Sequence, residues 1–262
     1  MNVLFLGRKH WSTLALKHLI EKNYNIIGVV GRPKNETGRE AVGCLATFAE
    51  ENNIPFYEYK EACSLIDSVN NTFNHEKVDV IVSYLFWGKI KKNFLDIASL
   101  APINFHPAPL PEYQGLGGYN AAILDDKDFY GVSAHVMSED IDAGDILSIK
   151  KFEITNKETA FSLEQKSMVK LLELFKEIFS DDLKTYIEKK YKNEVGLGRY
   201  INKKQFETMK YINPNDSQEL IDKKIRAFWY PPYEGAKVKV GNKYYTIIGQ
   251  DLLDEISNKY HD

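Results

Sequence analysis

Apolar and polar positions along this 262-residue chain alternate between two rhythms. Short, nearly continuous apolar runs occur at residues 3–6 (VLFL), 26–30 (IIGVV), 78–82 (VDVIV) and 101–105 (APINF). Runs of this kind suit strands buried on both faces, as in a parallel sheet. Between them the spacing turns helical: Leu16, Leu19 and Ile20 share a face of a helix that Ser12 can cap, and residues 41–51 and 61–73 predict two more helices. Residues 55–57 predict a short strand, and 34–40 (KNETGRE) a mobile polar loop. Strand, helix and strand within about 30 residues is the spacing of a parallel βαβ unit.

The character changes after Asp142. Residues 146–154 alternate as a half-exposed strand does, and 159–192 predict one or two helices whose Leu163, Val169, Leu171, Leu172, Leu174, Phe175 and Ile178 pack on the sheet. Residues 193–211 read as a loop, Ser217 caps a helix running to Arg226, and 236–248 form a hairpin around Gly241-Asn242. The fold class is α/β: an open parallel sheet with helices on both faces over residues 1–194. A small C-terminal helix and β-hairpin appendage follows over 195–262. Ligands of such sheets sit outside the carboxyl ends of the strands.

Composition narrows the partners. A net formal charge of −3 leaves no broad basic field for tRNA or DNA, and the local Lys clusters near residues 89, 202 and 223 have acids beside them, as solvated faces do. The two cysteines lack metal-ligand spacing, and Cys44, within an apolar helical pattern, reads as a reduced, inert thiol. The N-terminus runs directly into a strand, and the apolar runs are far shorter than the roughly 18 residues of a membrane span. The expectation is a cytoplasmic protein with no membrane or nucleic-acid partner.

Candidate chemistry concentrates in residues 103–145. On a strand, Asn104 and His106 point to the same side, and three carboxylates follow at Asp140, Asp142 and Asp145. An amide can donate to a developing oxyanion, an imidazole can take or relay a proton, and a carboxylate can orient the ring. Taken alone, an Asn-x-His pair at a strand end is more often a satisfied structural pair than a catalytic one. No serine or cysteine adjoins it as a nucleophile, so the attacking group would come from a substrate: direct transfer to an amine or water. Gly115, Gly117 and Gly118 do not have the spacing of a dinucleotide fingerprint.

Asn104-x-His106-Pro107-x-x-Leu110-Pro111, then Gly115, then Asp142-Ala143-Gly144-Asp145-Ile146-Leu147, resemble the signature of formyltransferases that use 10-formyltetrahydrofolate. The resemblance implies a Rossmann-like N-terminal domain, no metal, and three roles: Asn104 for the formyl oxygen, His106 for proton transfer, Asp142 for orienting or assisting. It implies a donor site at Ser83, Tyr84, Leu85, Phe86, Trp87, Lys89 and Gly144; taken alone, that apolar loop would also suit the core. Gly198-Arg199-Tyr200 with Lys203-Lys204, and residues 226–236 (RAFWYPPYEGA), resemble the C-terminal motifs of sugar N-formyltransferases, which act on nucleotide-linked amino sugars, commonly dTDP-4-amino-4,6-dideoxyhexoses, for surface polysaccharide. That likeness implies an acceptor site using Arg199, Tyr200, Lys203, Trp229, Tyr230 and Tyr233; Pro107, Gln114, Gly115, Tyr119 and Asn120, near the triad in sequence, are expected to contact the same substrate. Trp229, Tyr230 and Tyr233 would stack, and Arg199, Lys203 or Lys204 would meet the pyrophosphate; Phe228 to Tyr233 would alternatively plug the core. The half-exposed strand and the hairpin suit a homodimer. Rival expectations are formylation of methionyl-tRNA or glycinamide ribonucleotide, and a nucleotide- or folate-binding domain without turnover.

Overall fold

The computed structural model describes residues 1–33, 44–180 and 182–254. Strand β1 (Asn2–Gly7), helix α1 (Lys9–Glu21) and strand β2 (Asn25–Gly31) form the expected parallel unit, followed by α2 (Leu45–Glu51) and β3 (Phe56–Glu58), which extends the sheet beyond β2. Helix α3 (Tyr59–Ser64) and the small hairpin β4 (Ile66–Asp67) and β5 (Thr72–Phe73) lead into β6 (Glu76–Tyr84), α4 (Lys92–Leu95) and β7 (Ala98–His106). The chain continues through β8 (Tyr113–Gly115), α5 (Gly118–Leu124), β9 (Phe129–Val136) and β10 (Ile146–Glu153). The central sheet has the order β10-β9-β7-β6-β1-β2-β3. It is parallel from β7 to β3, while β9 runs antiparallel to β7 and β10 antiparallel to β9.

Period-two geometry explains the continuous apolar runs. In β1, Val3 and Phe5 face one core with Val80, Val82 and Tyr84 of β6, whereas Leu4 and Leu6 face a second with Ile81. The first core is closed by α1 and by α6 (Ala160–Ser180), whose Leu163, Leu171, Leu174, Phe175 and Ile178 are buried along one seam. Val169, expected on that seam, is 46% exposed. Helix α7 (Leu183–Glu188) follows, then β11 (Arg199–Ile201), α8 (Lys203–Met209), β12 (Tyr211–Ile212), α9 (Gln218–Ala227), β13 (Lys237–Val240) and β14 (Lys243–Thr246). The C-terminal Ile201, Ile212, Ile225 and Phe228 join the same core as β7, and β11 pairs with β8.

Several expectations are corrected. Helix α1 starts three residues before Ser12, whose hydroxyl donates to the Lys9 carbonyl from inside the first turn. The helix expected over 61–73 stops at Ser64, because Asp67 caps a tight turn by accepting from the amides of Val69 and Asn70. Cys44 is the residue before α2, half-buried rather than within the helix. The loop expected at 34–40 lies outside the described residues. Strand β9 was not anticipated: its Gly131 and Ser133 are small because residues 108–110 lie against them, Ser133 Oγ donating to the Ala108 carbonyl at 2.8 Å and accepting from the Leu110 amide at 2.9 Å. The expected loop at 193–211 contains β11, α8 and β12, with α8 begun by a reciprocal Asn202/Gln205 capping box. Among the described residues no helix is long and apolar enough to cross a membrane.

Candidate active site

Strand β7 ends with Phe105 turned into the aromatic core and Asn104 and His106 turned away from it. The antiparallel register sets His135 of β9 directly opposite Asn104. His135, 2% exposed, has Nδ1 at 2.9 Å from the Val136 carbonyl, which can only accept, so Nδ1 carries a proton. In the neutral ring Nε2 is then an acceptor, and the Asn104 amide donates to it at 3.0 Å. This fixes the amide of Asn104 and leaves its second N–H free. His135 was missed in the sequence because it sits on the strand that was missed.

Asp142 reaches the same volume from the β9–β10 connection. Its Oδ1 lies 3.5 Å from His106 Nδ1 and 3.7 Å from His135 Nε2. Burial alone would push this carboxyl up; the adjacent His106 and the Gly115 N–H outweigh that and hold it below the ordinary carboxylate value. Asp142 adopts a left-handed backbone with φ of 54°, a conformation costing an L-residue on the order of 1–2 kcal/mol. Two side-chain amides grip its carbonyl, Gln114 at 3.2 Å and Asn193 at 2.9 Å. His106 Nε2 in turn lies 3.3 Å from the Tyr113 carbonyl. Each His106 nitrogen therefore faces an acceptor, and a ring protonated on both satisfies both.

Two cavities flank this cluster. The smaller, about 210 Å³, is lined by Ser83, Leu85, Phe86, Trp87 and Lys89 together with Asn104, His135 and Asp142. The larger, about 420 Å³, is lined by Tyr113, Gly115, Tyr119, Asn120, Tyr230 and Tyr233 among others. His106 and Pro107 line both, so the imidazole stands in the wall between them.

Two residues expected at the smaller cavity belong elsewhere. Tyr84 is fully buried, stacked on Phe105 at 5.8 Å and edge-on to Phe175 at 5.4 Å, with burial raising its hydroxyl pKa. Gly144 does not line the cavity; a Cβ there would stand 1.8 Å from the Val136 carbonyl oxygen, so glycine is required for backbone approach. Asp140, expected to face solvent, is exposed and lies on the rim of the smaller cavity.

On the larger side the corrections concern charge. Arg199 makes a two-oxygen ion pair with Asp125 at 2.7 and 2.9 Å and does not line the cavity. Tyr200 and Lys203 are exposed outside it, Trp229 packs against the core, and Gln114 turns to Asp142 instead. The cation that does line it is Lys210, 9% exposed, with Nζ 5.1 Å above the Phe206 ring and 2.9 Å from Glu207. The i, i+4 spacing of Phe206 and Lys210 was the available signal, lost in a segment read as loop. Tyr230 donates its hydroxyl to the buried Glu164, which also holds Lys9 at 2.8 Å, and so presents its ring to the cavity.

Comparison with known proteins identifies the family and agrees with the fold. The Formyl transferase family model matches residues 1–176. A methionyl-tRNA formyltransferase of Thermotoga maritima is 27% identical over 97% of this chain and 80% of its own length. The match to the Clostridioides difficile enzyme of the same name, 32% identical, spans 64% of this chain and only 55% of that enzyme. Among solved structures, a 4-N formyltransferase from Francisella tularensis superposes with a TM-score of 0.75 at 18% identity, covering 95% of this chain and 96% of that one. An N-formyltransferase from Helicobacter canadensis, crystallised with folinic acid and dTDP-3-aminofucose, gives 0.69 at 19% identity over 92% and 84%. With a family model matching residues 1–176, a span that contains Asn104, His106 and Asp142, the chain belongs to the formyl transferase family.

Proposed function

We propose that this enzyme transfers the formyl group of 10-formyltetrahydrofolate to the amino group of a nucleotide-linked amino sugar of the dTDP-4-amino-4,6-dideoxyhexose type, in the making of a surface polysaccharide such as O-antigen. The observation that carries this is the pair of cavities sharing the His106 wall: one for a donor, one for an acceptor, with a single proton-carrying group between them. The pterin would enter the smaller cavity, where the backbone after β6 offers hydrogen bonds and Leu85, Phe86 and Trp87 offer apolar contact. The sugar nucleotide would enter the larger one, which supplies Tyr230 and Tyr233 for stacking and the buried ammonium of Lys210 for the pyrophosphate.

In this reading the unprotonated sugar amine attacks the formyl carbon. The second N–H of Asn104 and the Nε2–H of protonated His106, turning from the Tyr113 carbonyl, meet the developing oxyanion, a contribution of about 3–4 kcal/mol at well-built sites. The C–N10 bond of the folate then breaks, N10 takes a proton, and the amine loses one, with Asp142 holding the His106 ring in orientation meanwhile. The protein is expected in the cytoplasm and as a homodimer; the exposed edge strand β14, with Tyr244 and Tyr245 half or more exposed, supports the latter, and solution mass measurement tests it.

The test is an assay of tetrahydrofolate release with dTDP-4-amino-4,6-dideoxyglucose, its 3-amino isomer, methionyl-tRNA and glycinamide ribonucleotide offered separately. Turnover with a sugar nucleotide supports the proposal. Turnover only with methionyl-tRNA, the substrate named for the Thermotoga maritima relative, replaces it. Ligand binding without tetrahydrofolate release would make the chain a binding domain.

A further inference from the structure

We propose that Asn193 and Gln114 are positioning residues of the catalytic centre: by gripping the Asp142 carbonyl from two sides they aim its carboxylate at His106. The inference rests on the formyltransferase reading of that centre and goes beyond it to Gln114 and to Asn193, the latter lying after the family match, which ends at 176.

Asp142 stands at a left-handed turn, and neither amide that holds its carbonyl comes from its own loop. Gln114 comes from β8, 28 positions away, and Asn193 from the segment between α7 and β11, 51 positions away. Asn193 is 4% exposed, and its Oδ1 is buried without a hydrogen-bond partner among the described residues. A buried amide with only its N–H satisfied is a cost to folding; the side chain is placed there for what its N–H does to Asp142. Strand β8 supplies the remaining restraints: the Tyr113 carbonyl faces His106 Nε2, and the Gly115 N–H faces the Asp142 carboxylate. Strand β8 is itself held in register by β11, with the Arg199 amide on the Glu112 carbonyl at 2.7 Å and the Leu116 amide on the Ile201 carbonyl at 3.1 Å. The chain after α7 thus reaches Asp142 twice, at its carbonyl through Asn193 and at its carboxylate through β8, which β11 holds in register.

Groups facing that carboxylate are His106 from β7, His135 from β9 and the Gly115 N–H from β8, with the exposed Asp140 two residues earlier on its own loop. Loosening the carbonyl moves the carboxylate away from all three partners at once. Its titration then moves up toward the ordinary carboxylate value.

Full-length Asn193→Ala, Gln114→Ala and the double variant are assayed with 10-formyltetrahydrofolate and dTDP-4-amino-4,6-dideoxyglucose. In parallel, carbon NMR follows the His106 and His135 rings through an acid titration without acceptor. Each single variant should lower kcat about 10- to 100-fold while both KM values stay within about twofold. The double variant should be no worse than the poorer single, because both amides hold one oxygen. The acid inflection sensed by the rings should shift to higher pH in both singles. Gln114→Ala, with melting temperature recorded, keeps the test open if Asn193→Ala does not fold. Unchanged kcat, a loss confined to KM, or an unmoved inflection would overturn the proposal. Should the wild-type protein formylate no sugar nucleotide, the acceptor assignment falls while the ring titration still decides the clamp.

Discussion

Replacing Gly144 by alanine separates two roles for this glycine, contact with the folate or shaping of the Asp142 loop. The added Cβ would sit 1.8 Å from the Val136 carbonyl oxygen. Heavy atoms at such positions need about 3.0 Å, so roughly 1.2 Å of backbone movement is required. The Val136 end of β9 cannot yield that distance alone. Its amide is bonded to the Asp145 carbonyl at 2.8 Å, its carbonyl takes His135 Nδ1–H at 2.9 Å, and the next amide is bonded to the Pro102 carbonyl at 2.7 Å. The movement therefore falls on residues 142–145, and the 3.5 Å approach of Asp142 to His106 is lost. Misplacement of a catalytic group by about 1 Å costs about 10²-fold in rate, or about 2.7 kcal/mol of barrier. The assay is steady-state formylation over a range of folate concentrations. We expect kcat to fall about 100-fold with folate KM little changed; wild-type kcat, or a rise in folate KM at unchanged kcat, would refute the reasoning and return Gly144 to the donor site.

Further expectations follow from the same geometry. His106→Asn should abolish formyl transfer while leaving the melting temperature near that of the wild type, since the ring is only partly enclosed and lines both cavities; near-normal turnover would remove it from the mechanism. Lys210→Ala should raise acceptor KM about tenfold, the loss of about 1.4 kcal/mol from one charge-assisted contact, whereas Arg199→Ala, whose guanidinium lies outside the cavity on Asp125, should leave it within about twofold. His18 is buried between α1 and α6, and burial first, then Lys176 and Lys22, lower its pKa below 6.5. The neutral ring is favoured by folding, so its stabilisation is present above pH 6.5 and lost as pH falls below it. A His18→Gln variant should accordingly show a smaller decline in melting temperature between pH 7 and 5.

What the sequence disclosed, it disclosed through local signals. The runs of β1, β6 and β7 needed no distant partner to be read, because burial on both faces leaves its mark residue by residue. Asn104 and His106 share a face by strand geometry alone, and the Gly241 turn carries its own hairpin. The rest depended on what lies opposite. Strand β9 was hidden because close approach of residues 108–110 replaces large apolar side chains by Gly131 and Ser133. Its loss concealed both the antiparallel edge and His135. The role of Gln114 was misread because its partner is a backbone oxygen 28 positions away, and Asn193 was not singled out because its partner lies 51 positions away. Arg199 looked like a free cation until the fold brought Asp125 to it.

The wall shared by the two cavities sets the order of events. His106 and Pro107 border both chambers, and in the direct attack proposed above the amine in one meets the formyl carbon from the other with no covalent enzyme intermediate between them. Donor and acceptor must therefore be present together, so initial-rate plots should intersect, as in a sequential mechanism, instead of running parallel. Without acceptor, the formyl group should not exchange between folate molecules, because the enzyme has nowhere to hold it once tetrahydrofolate leaves.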